Sequence, residues 1–337
     1  MIEIDGAEGE GGGQVLRNAC AMALITGEPF HITRIRGGRE KPGLMRQHVT
    51  AIEAACAIGT AECEGLAIGA GEIIFRPGRV VPGAYRFAIG TAGSCSLVLQ
   101  AVLPPLLLAE APSSLVLEGG THNMAAPPFD FLAGSFLPLL NRMGPRVTAR
   151  LIRHGFYPKG GGRIEIEIAP APLQKLELTD RGAPLHRQAT ALIAGIPFEV
   201  AKRELATARQ ILGWSEESFA TRQLPEAEGP GNALLLEAGF EHVTEIMTGF
   251  GQRGITAEMV AKTAATRLAG YLESGAFAGP YLADQLLLPM ALAGGGRFTT
   301  VKPTQHALTA AALIGRFLGR RILIEKTAEG VHEVEVE

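Results

Sequence analysis

Aromatic side chains are scarce in this chain: 14 Phe, 4 Tyr and 1 Trp make up 6% of 337 residues. Its core must therefore come mainly from Ala, Leu, Ile and Val, while 43 glycines imply tight turns and close backbone approaches. A surplus of positive charge is missing too. The formal net charge of -3 excludes a globally basic nucleic-acid coat and leaves room only for a local basic site. The cysteines, Cys20, Cys56, Cys63 and Cys95, form no CxxC pair, so neither a zinc site nor a disulfide framework is supported. Cys20, Cys56 and Cys95 fall within apolar helical patterns and read as buried thiols. No GxxxxGK[ST] phosphate loop occurs. The longest apolar run, Leu97 to Ala109, is broken by Gln100, Pro104 and Pro105 and is too short to span a bilayer. The opening MIEIDGAEGEGGG has neither a basic n-region nor an apolar h-region. These absences lead to the expectation of a soluble cytoplasmic protein with no membrane partner.

What is present is a repeat. A strand at the N-terminus, a glycine turn, a helix over Gln14 to Ile25, a strand over Pro29 to Ile35, a basic loop and a helix over Leu44 to Ile58 lead to two closing strands. The same order restarts with a strand at Tyr85 to Ile89 and a helix at Cys95 to Ala109. A strand at Ser114 to Glu118, a loop GGTHNMAAPP and a helix at Phe129 to Met143 follow. A third round runs through a helix at Asp284 to Leu292, a strand at Arg297 to Lys302, the loop PTQHA and a helix at Leu308 to Leu318. Its first strand, placed at Arg163 to Ile168, is separated from its first helix by more than a hundred residues that have strands and helices of their own. The expected fold is therefore α/β (α+β): three repeated βαβαββ-type units sharing a core, with a smaller α/β domain inserted at a strand-to-helix connection. Boundaries are expected at residues 1–180 and 277–337 for the large domain and 181–276 for the insert. Chance similarity among apolar αβ segments is the alternative.

Three stretches hold candidate chemistry. RIRGGREKPGLMRQH, residues 34–48, sets five cations against one acid, Glu40, a local charge of +4. Arginines before a helix N-terminus suit phosphate; a solvated charged face is the plain reading. In GEGGGQ, residues 9–14, a glycine turn opens a helix, and Glu10 is either a ligand for Mg²⁺ or an acid favoured by the helix dipole. Of the eight histidines, His31 and His332 fall in strands and His186 and His242 near domain edges. His306 sits in the third round's loop, immediately before a helix N-terminus, a position at which the first two rounds have no histidine; His122 lies elsewhere in round two's loop, beside Asn123. On residue type alone a lone histidine is more often structural than catalytic.

Taken together, GAEGEGGGQVLR, RGGREKPGLMRQH, FAIGTAGSCSLVLQ, RHGFYPKGGGR, PYLADQLLLPMALAGGG and the His306 loop resemble the RNA 3'-terminal phosphate cyclases over the whole chain. RHGFYPKGGGRI is similar to that family's signature run. The resemblance implies repeats like the C-terminal domain of a bacterial translation initiation factor, plus an inserted domain. It implies a ligase that uses ATP and Mg²⁺ (or Mn²⁺) to convert an RNA 3'-terminal phosphate to a 2',3'-cyclic phosphodiester, through histidine–AMP and RNA–pp–A intermediates. His306 matches the nucleophile and Glu10 the metal ligand. Arg17, Arg36, Arg39 and Arg46, with Gln47 and His48, match the substrate-phosphate residues. Gln100, Pro128, Tyr281, Leu282, Ala283, Asp284 and Gln285 match the nucleotide pocket, with Tyr281 and Pro128 as adenine faces and Asp284 or Gln285 orienting the ribose or His306. RNA with a 3'-terminal phosphate is the implied partner; a homodimer is left open. Two rivals are a non-catalytic RNA-binding relative, which lacks the histidine, and an enolpyruvyl transferase, against which the HGFYPKGGG run argues.

Overall fold

A computed structural model describes the backbone of residues 1–337 and the side chains of all but Ala227. The first unit consists of β1 (Ile2–Asp5), α1 (Gly13–Thr26), β2 (Phe30–Thr33), α2 (Arg46–Gly59), β3 (Glu62–Glu64) and β4 (Ile73–Arg76). The second consists of β5 (Ala84–Ala88), α3 (Cys95–Leu107), β6 (Ser113–Gly119), a bent helix, β7 (Arg146–Arg153) and β8 (Gly162–Ala169). That bent helix joins α4 (Phe129–Phe131) to α5 (Leu137–Arg142) through a π turn at Leu132–Phe136. The third unit opens with β9 (Leu176–Leu178) and is then interrupted. The intervening chain forms β10 (Pro184–Ala194), α6 (Phe198–Leu212), β11 (Phe219–Gln223), β12 (Gly231–Phe240), β13 (Thr244–Phe250) and α7 (Ala257–Ser274). The unit resumes with α8 (Pro280–Leu292), β14 (Gly296–Thr300), α9 (Gln305–Leu318), β15 (Ile322–Ala328) and β16 (Val331–Val336).

Sheet topology shows the repeat plainly. The strand orders β1-β2-β4-β3, β5-β6-β8-β7 and β9-β14-β16-β15 are one pattern used three times. In each, the first two strands are parallel and the rest antiparallel. A parallel pair needs a crossover, which α1, α3 and α8 supply. The sequence placed the third unit's first strand at Arg163 to Ile168, but that segment belongs to β8 of the second sheet. Leu176–Leu178 takes the role, pairing in parallel with Gly296–Phe298. Three residues give too short an alternation to be read as a strand.

The three units share one hydrophobic core. Phe30 of the first unit stacks on Phe75 at 5.3 Å and meets Phe317 of the third edge-on at 6.3 Å. The insert's sheet has a different order, β11-β10-β12-β13, and its own core with α6 and α7 around Leu234, Met247 and Leu268. Among the described residues no helix is long and apolar enough to cross a membrane.

One buried acid fastens the insert to the third unit. Glu245 on β13 has no exposed surface and accepts a hydrogen bond of 2.9 Å from the Gly279 N–H that starts α8. The helix dipole favours an anion there. Burial wins, pushing the carboxyl up to about 8 from an ordinary 4.5. The folded protein therefore holds the proton more tightly than the unfolded chain. The resulting stabilisation is complete below about pH 4.5 and is lost as pH rises through about 8. Glu245→Gln should leave the melting temperature unchanged near pH 4.5 and raise it by about 2–4 °C at pH 8, read by thermal unfolding. A mutant that melts lower than wild type at pH 8 would remove the neutral-carboxyl account.

Candidate active site

The crossover helices of the three units, α1, α3 and α8, converge with α9 on one cleft. Gln14, Asn18, Ser96, Gln100, Asp284 and Gln285 are its polar lining, and Phe131, Leu132 and Phe136 of the π-turn region close its apolar side. Such turns recur at functional sites because they push side chains out of helical register.

His306 lies at the mouth of this cleft, in the first turn of α9 rather than in the preceding loop. Thr304 caps that helix, its Oγ accepting from the Ala307 N–H at 3.1 Å. The imidazole is held from one side only. Its Nδ1 is 2.9 Å from Gln14 Oε1, and Gln14 Nε2 donates to Asp284 Oδ1 at 2.5 Å. A carboxylate only accepts, so the Gln14 amide must turn its nitrogen to Asp284 and its oxygen to His306. Nδ1 must then carry the proton, and the Nε2 lone pair is free.

A second arm reaches the same carboxylate. Arg17 Nε donates to Gln100 Oε1 at 2.9 Å, Gln100 Nε2 to Gln285 Oε1 at 2.8 Å, and Gln285 Nε2 to Asp284 Oδ2 at 3.3 Å. Every donor in both arms points toward Asp284. Burial raises the Asp284 pKa, and the His306 charge, Gln14, Arg17 and Gln285 oppose it. Because both oxygens accept, the network is built for the carboxylate. Burial lowers the His306 pKa below its ordinary 6.5, with Arg17 and Arg39 adding to the shift and Asp284 opposing it. The ring is therefore neutral at pH 7.

Around Nε2 the groups are charged. Glu10 Oε1 lies 3.8 Å from it and pairs with Arg39. The Glu10 carboxylate is 5% exposed, and its Oε2 has no hydrogen-bond partner. A buried carboxylate oxygen left without a donor is costly unless something positive reaches it. No cluster of three His, Cys, Asp or Glu able to hold a metal occurs among the described residues. One protein carboxylate fits a Mg²⁺ ion that takes its other oxygens from water and substrate phosphates.

The glycine turn brings these charged groups together. A Cβ on Gly12 would collide with the Glu10 carboxylate, and one on Gly13 would lie 2.5 Å from His48 Nε2 and 2.9 Å from Arg17 Nη1. Glycine here lets Glu10, Arg39, His48 and Arg17 close on the backbone at the start of α1. Arg17 is buried, and desolvation lowers its pKa to about 10, which leaves it charged at neutral pH. Burial, together with Arg17 and Arg36, drives His48 down to about 3, so it is neutral. Its Nδ1 accepts from the Met45 N–H at 3.0 Å, so Nε2–H is a neutral donor beside Arg17.

Not every residue singled out in the sequence reaches the cleft. Arg36 spends Nη1 on the carbonyls of Lys41 and Gly43, at 2.7 and 2.8 Å, and so braces the basic loop. Arg46 is exposed on the first turn of α2, and Gln47 Oε1 accepts from the Ser94 N–H at 3.2 Å. Pro128 is buried, and its neighbour Pro127 lines the cleft instead. Leu282 and Ala283 face the core. Tyr281 is 42% exposed, its hydroxyl accepting from Arg267 Nη1 of the insert at 2.9 Å. Gln14 and Asn18 were missed as site residues. The available signal was their place one and five residues past the glycine turn, on one face of α1 (i, i+4).

Comparison with known proteins shows the family. A family model described as RNA 3'-terminal phosphate cyclase matches residues 8–324. A protein of Koribacter versatilis (strain Ellin345) named RNA 3'-terminal phosphate cyclase is 54% identical over 319 residues, covering 94% of this chain and 90% of its own. Proteins of the same name from Ralstonia nicotianae and Ectopseudomonas mendocina are 52% and 47% identical, over 96% and 100% of this chain and 93% and 98% of theirs.

Proposed function

The chain belongs to the RNA 3'-terminal phosphate cyclase family, an enzyme of the ligase class, and from that premise we propose an ATP-dependent route with His306 as its nucleophile. The observation that carries the proposal is the Gln14 contact, which commits Nδ1 and leaves a neutral Nε2 facing Glu10 and Arg39. Nε2 attacks the α-phosphorus of ATP; a P–N bond forms, the P–O bond to pyrophosphate breaks, and the electron pair leaves with pyrophosphate. An oxygen of the RNA 3'-phosphate then takes the adenylyl group from Nε2, giving RNA–pp–A. The adjacent ribose 2'-hydroxyl, losing its proton, attacks the activated phosphorus and expels AMP, which closes the 2',3'-cyclic phosphodiester.

The order follows from leaving-group chemistry. A terminal phosphate has no good leaving group at neutral pH until a nucleotide is attached, and a covalent intermediate divides one hard step into easier ones. Phosphoryl transfer otherwise asks mainly for positioning and charge neutralisation. Arg17, Arg39 and the N-terminus of α1 supply the fixed part. The orphaned Glu10 oxygen supports a Mg²⁺ ion whose contribution is to neutralise the triphosphate. Gln100, Asp284 and Gln285 line the nucleotide cleft, and His48, Gln47 and Arg46 flank the acceptor end.

Incubation with α-labelled ATP and Mg²⁺ should produce an acid-labile, alkali-stable protein–AMP adduct. The label should pass to RNA bearing a 3'-phosphate and not to RNA ending in a 3'-hydroxyl. Folded protein that converts the RNA end without forming the adduct would overturn the covalent route.

A further inference from the structure

In the run HGFYPKGGGR, residues 154–163, four positions have a clear structural reason. His154 Nδ1 contacts Glu228 of the insert at 2.8 Å. Gly155 donates to Thr121 Oγ1 at 2.9 Å and is packed so closely that a Cβ would collide with Gly119 O. Phe156 is 2% exposed and fills a core with Leu192, Leu224 and Leu235 on the insert's second face. Gly160 has a φ of 65°, and a Cβ there would lie 2.8 Å from Ala92 Cα and Thr91 O. The run thus bolts the second unit to the insert and packs against the Gly90–Gly93 loop.

Tyr157 stands apart from these. At 76% exposure its side chain is the most exposed large apolar group among the described residues, in a chain with only 4 tyrosines. Cations flank it in the chain, Arg153 and Lys159 both exposed, Arg153 donating to Gly161 O; exposed Arg222 acts on His154 at the base of the run, alongside Glu228. Its position is continuous with the acceptor end of the cleft. The Gly90–Gly93 loop that supports Gly160 on one side touches Gln47 on the other, through Gly93 and the Ser94 N–H. Gly160, three residues after Tyr157, is therefore one loop's thickness from Gln47 in the first turn of α2.

We propose that Tyr157 is a stacking platform for a base of the RNA strand upstream of its terminal phosphate. The strand leaves the Gln47–His48 end across the Gly90–Gly93 loop, and Arg153 and Arg222 meet its backbone. This rests on the cyclase reading and extends it to the substrate class: single-stranded 3' ends longer than one nucleotide. Every base offers a π face, so the contact discriminates strand length rather than sequence.

The test is the affinity of a 5'-fluorescent oligoribonucleotide 3'-phosphate, read by anisotropy without ATP, beside that of a mononucleoside 3'-phosphate read by competition. Tyr157→Ala should weaken oligonucleotide binding by at least about fivefold, the loss of one base–aromatic stack, with Tyr157→Phe within about twofold of wild type. Mononucleotide affinity and self-adenylation by ATP should not change in either variant. Unchanged oligonucleotide affinity in Tyr157→Ala would overturn the proposal. So would an equal loss for the mononucleotide, or a change of oligomeric state in place of a change in RNA affinity. Wild-type protein that binds the oligonucleotide in this Tyr157-dependent way but forms no AMP adduct would refute the adenylation route and leave the platform standing.

Discussion

His306→Ala is expected to lower self-adenylation by at least about 10³-fold, with no adduct surviving on the mutant, because removing a covalent nucleophile leaves only binding and electrostatics. Folding should be nearly indifferent. The side chain is 42% exposed, and Gln14 and Asp284 keep each other as partners, so a stability change within about 0.5 kcal/mol is expected. The pH profile of the wild type provides an independent check. A histidine nucleophile acts as the free base, so adenylation should rise with pH through the His306 pKa and then level off. Burial and the nearby Arg17 and Arg39 hold that pKa below 6.5, which puts the plateau at neutral pH and the loss on the acid side. A labelled adduct on the alanine mutant would place the nucleophile elsewhere. A rate that still climbs steeply above about pH 8 would argue for a cysteine or lysine.

The repeat was legible in the sequence because each unit carries two long apolar helices in the same order. The shortest elements were not. Leu176–Leu178 pairs with Gly296–Phe298 across more than a hundred residues of insert, and three residues carry no period. The basic loop was visible as charge, but charge does not say where a guanidinium points. Arg39 turns to Glu10, whereas Arg36 closes its own loop on backbone carbonyls. Gln14 was the largest omission. Beside glycines it reads as the start of a helix, and its partners are 270 and 292 residues away. Its importance appears only when α1 and α8 are side by side, since an amide carries information through which end faces which neighbour.

That directionality makes Asp284→Asn the sharpest test of the site. The carboxylate accepts on both oxygens, so the amides of Gln14 and Gln285 both turn their nitrogens inward. Asparagine offers one oxygen and one NH₂, so one arm must reverse. Reversing the Gln285–Gln100 arm would turn the Gln100 NH₂ onto Arg17 Nε–H, which cannot accept. Reversing the Gln14 arm leaves no such clash: Gln14 turns its oxygen to the introduced NH₂ and its own NH₂ to His306 Nδ1. The histidine then becomes the Nε2–H tautomer, and the lone pair that attacks phosphorus is gone. The expected result is a fall in the adenylation rate at saturating ATP of about 10²–10⁴-fold, the range seen when a catalytic histidine is held in the wrong tautomer. Little change is expected in thermal stability, and ¹⁵N shifts of His306 should report the proton moving from Nδ1 to Nε2. A purely ribose-orienting Asp284 would raise KM for ATP and leave kcat and the His306 shifts as in wild type. That outcome would refute the relay, because the arms leave the asparagine amide no other way to satisfy both glutamines and Arg17.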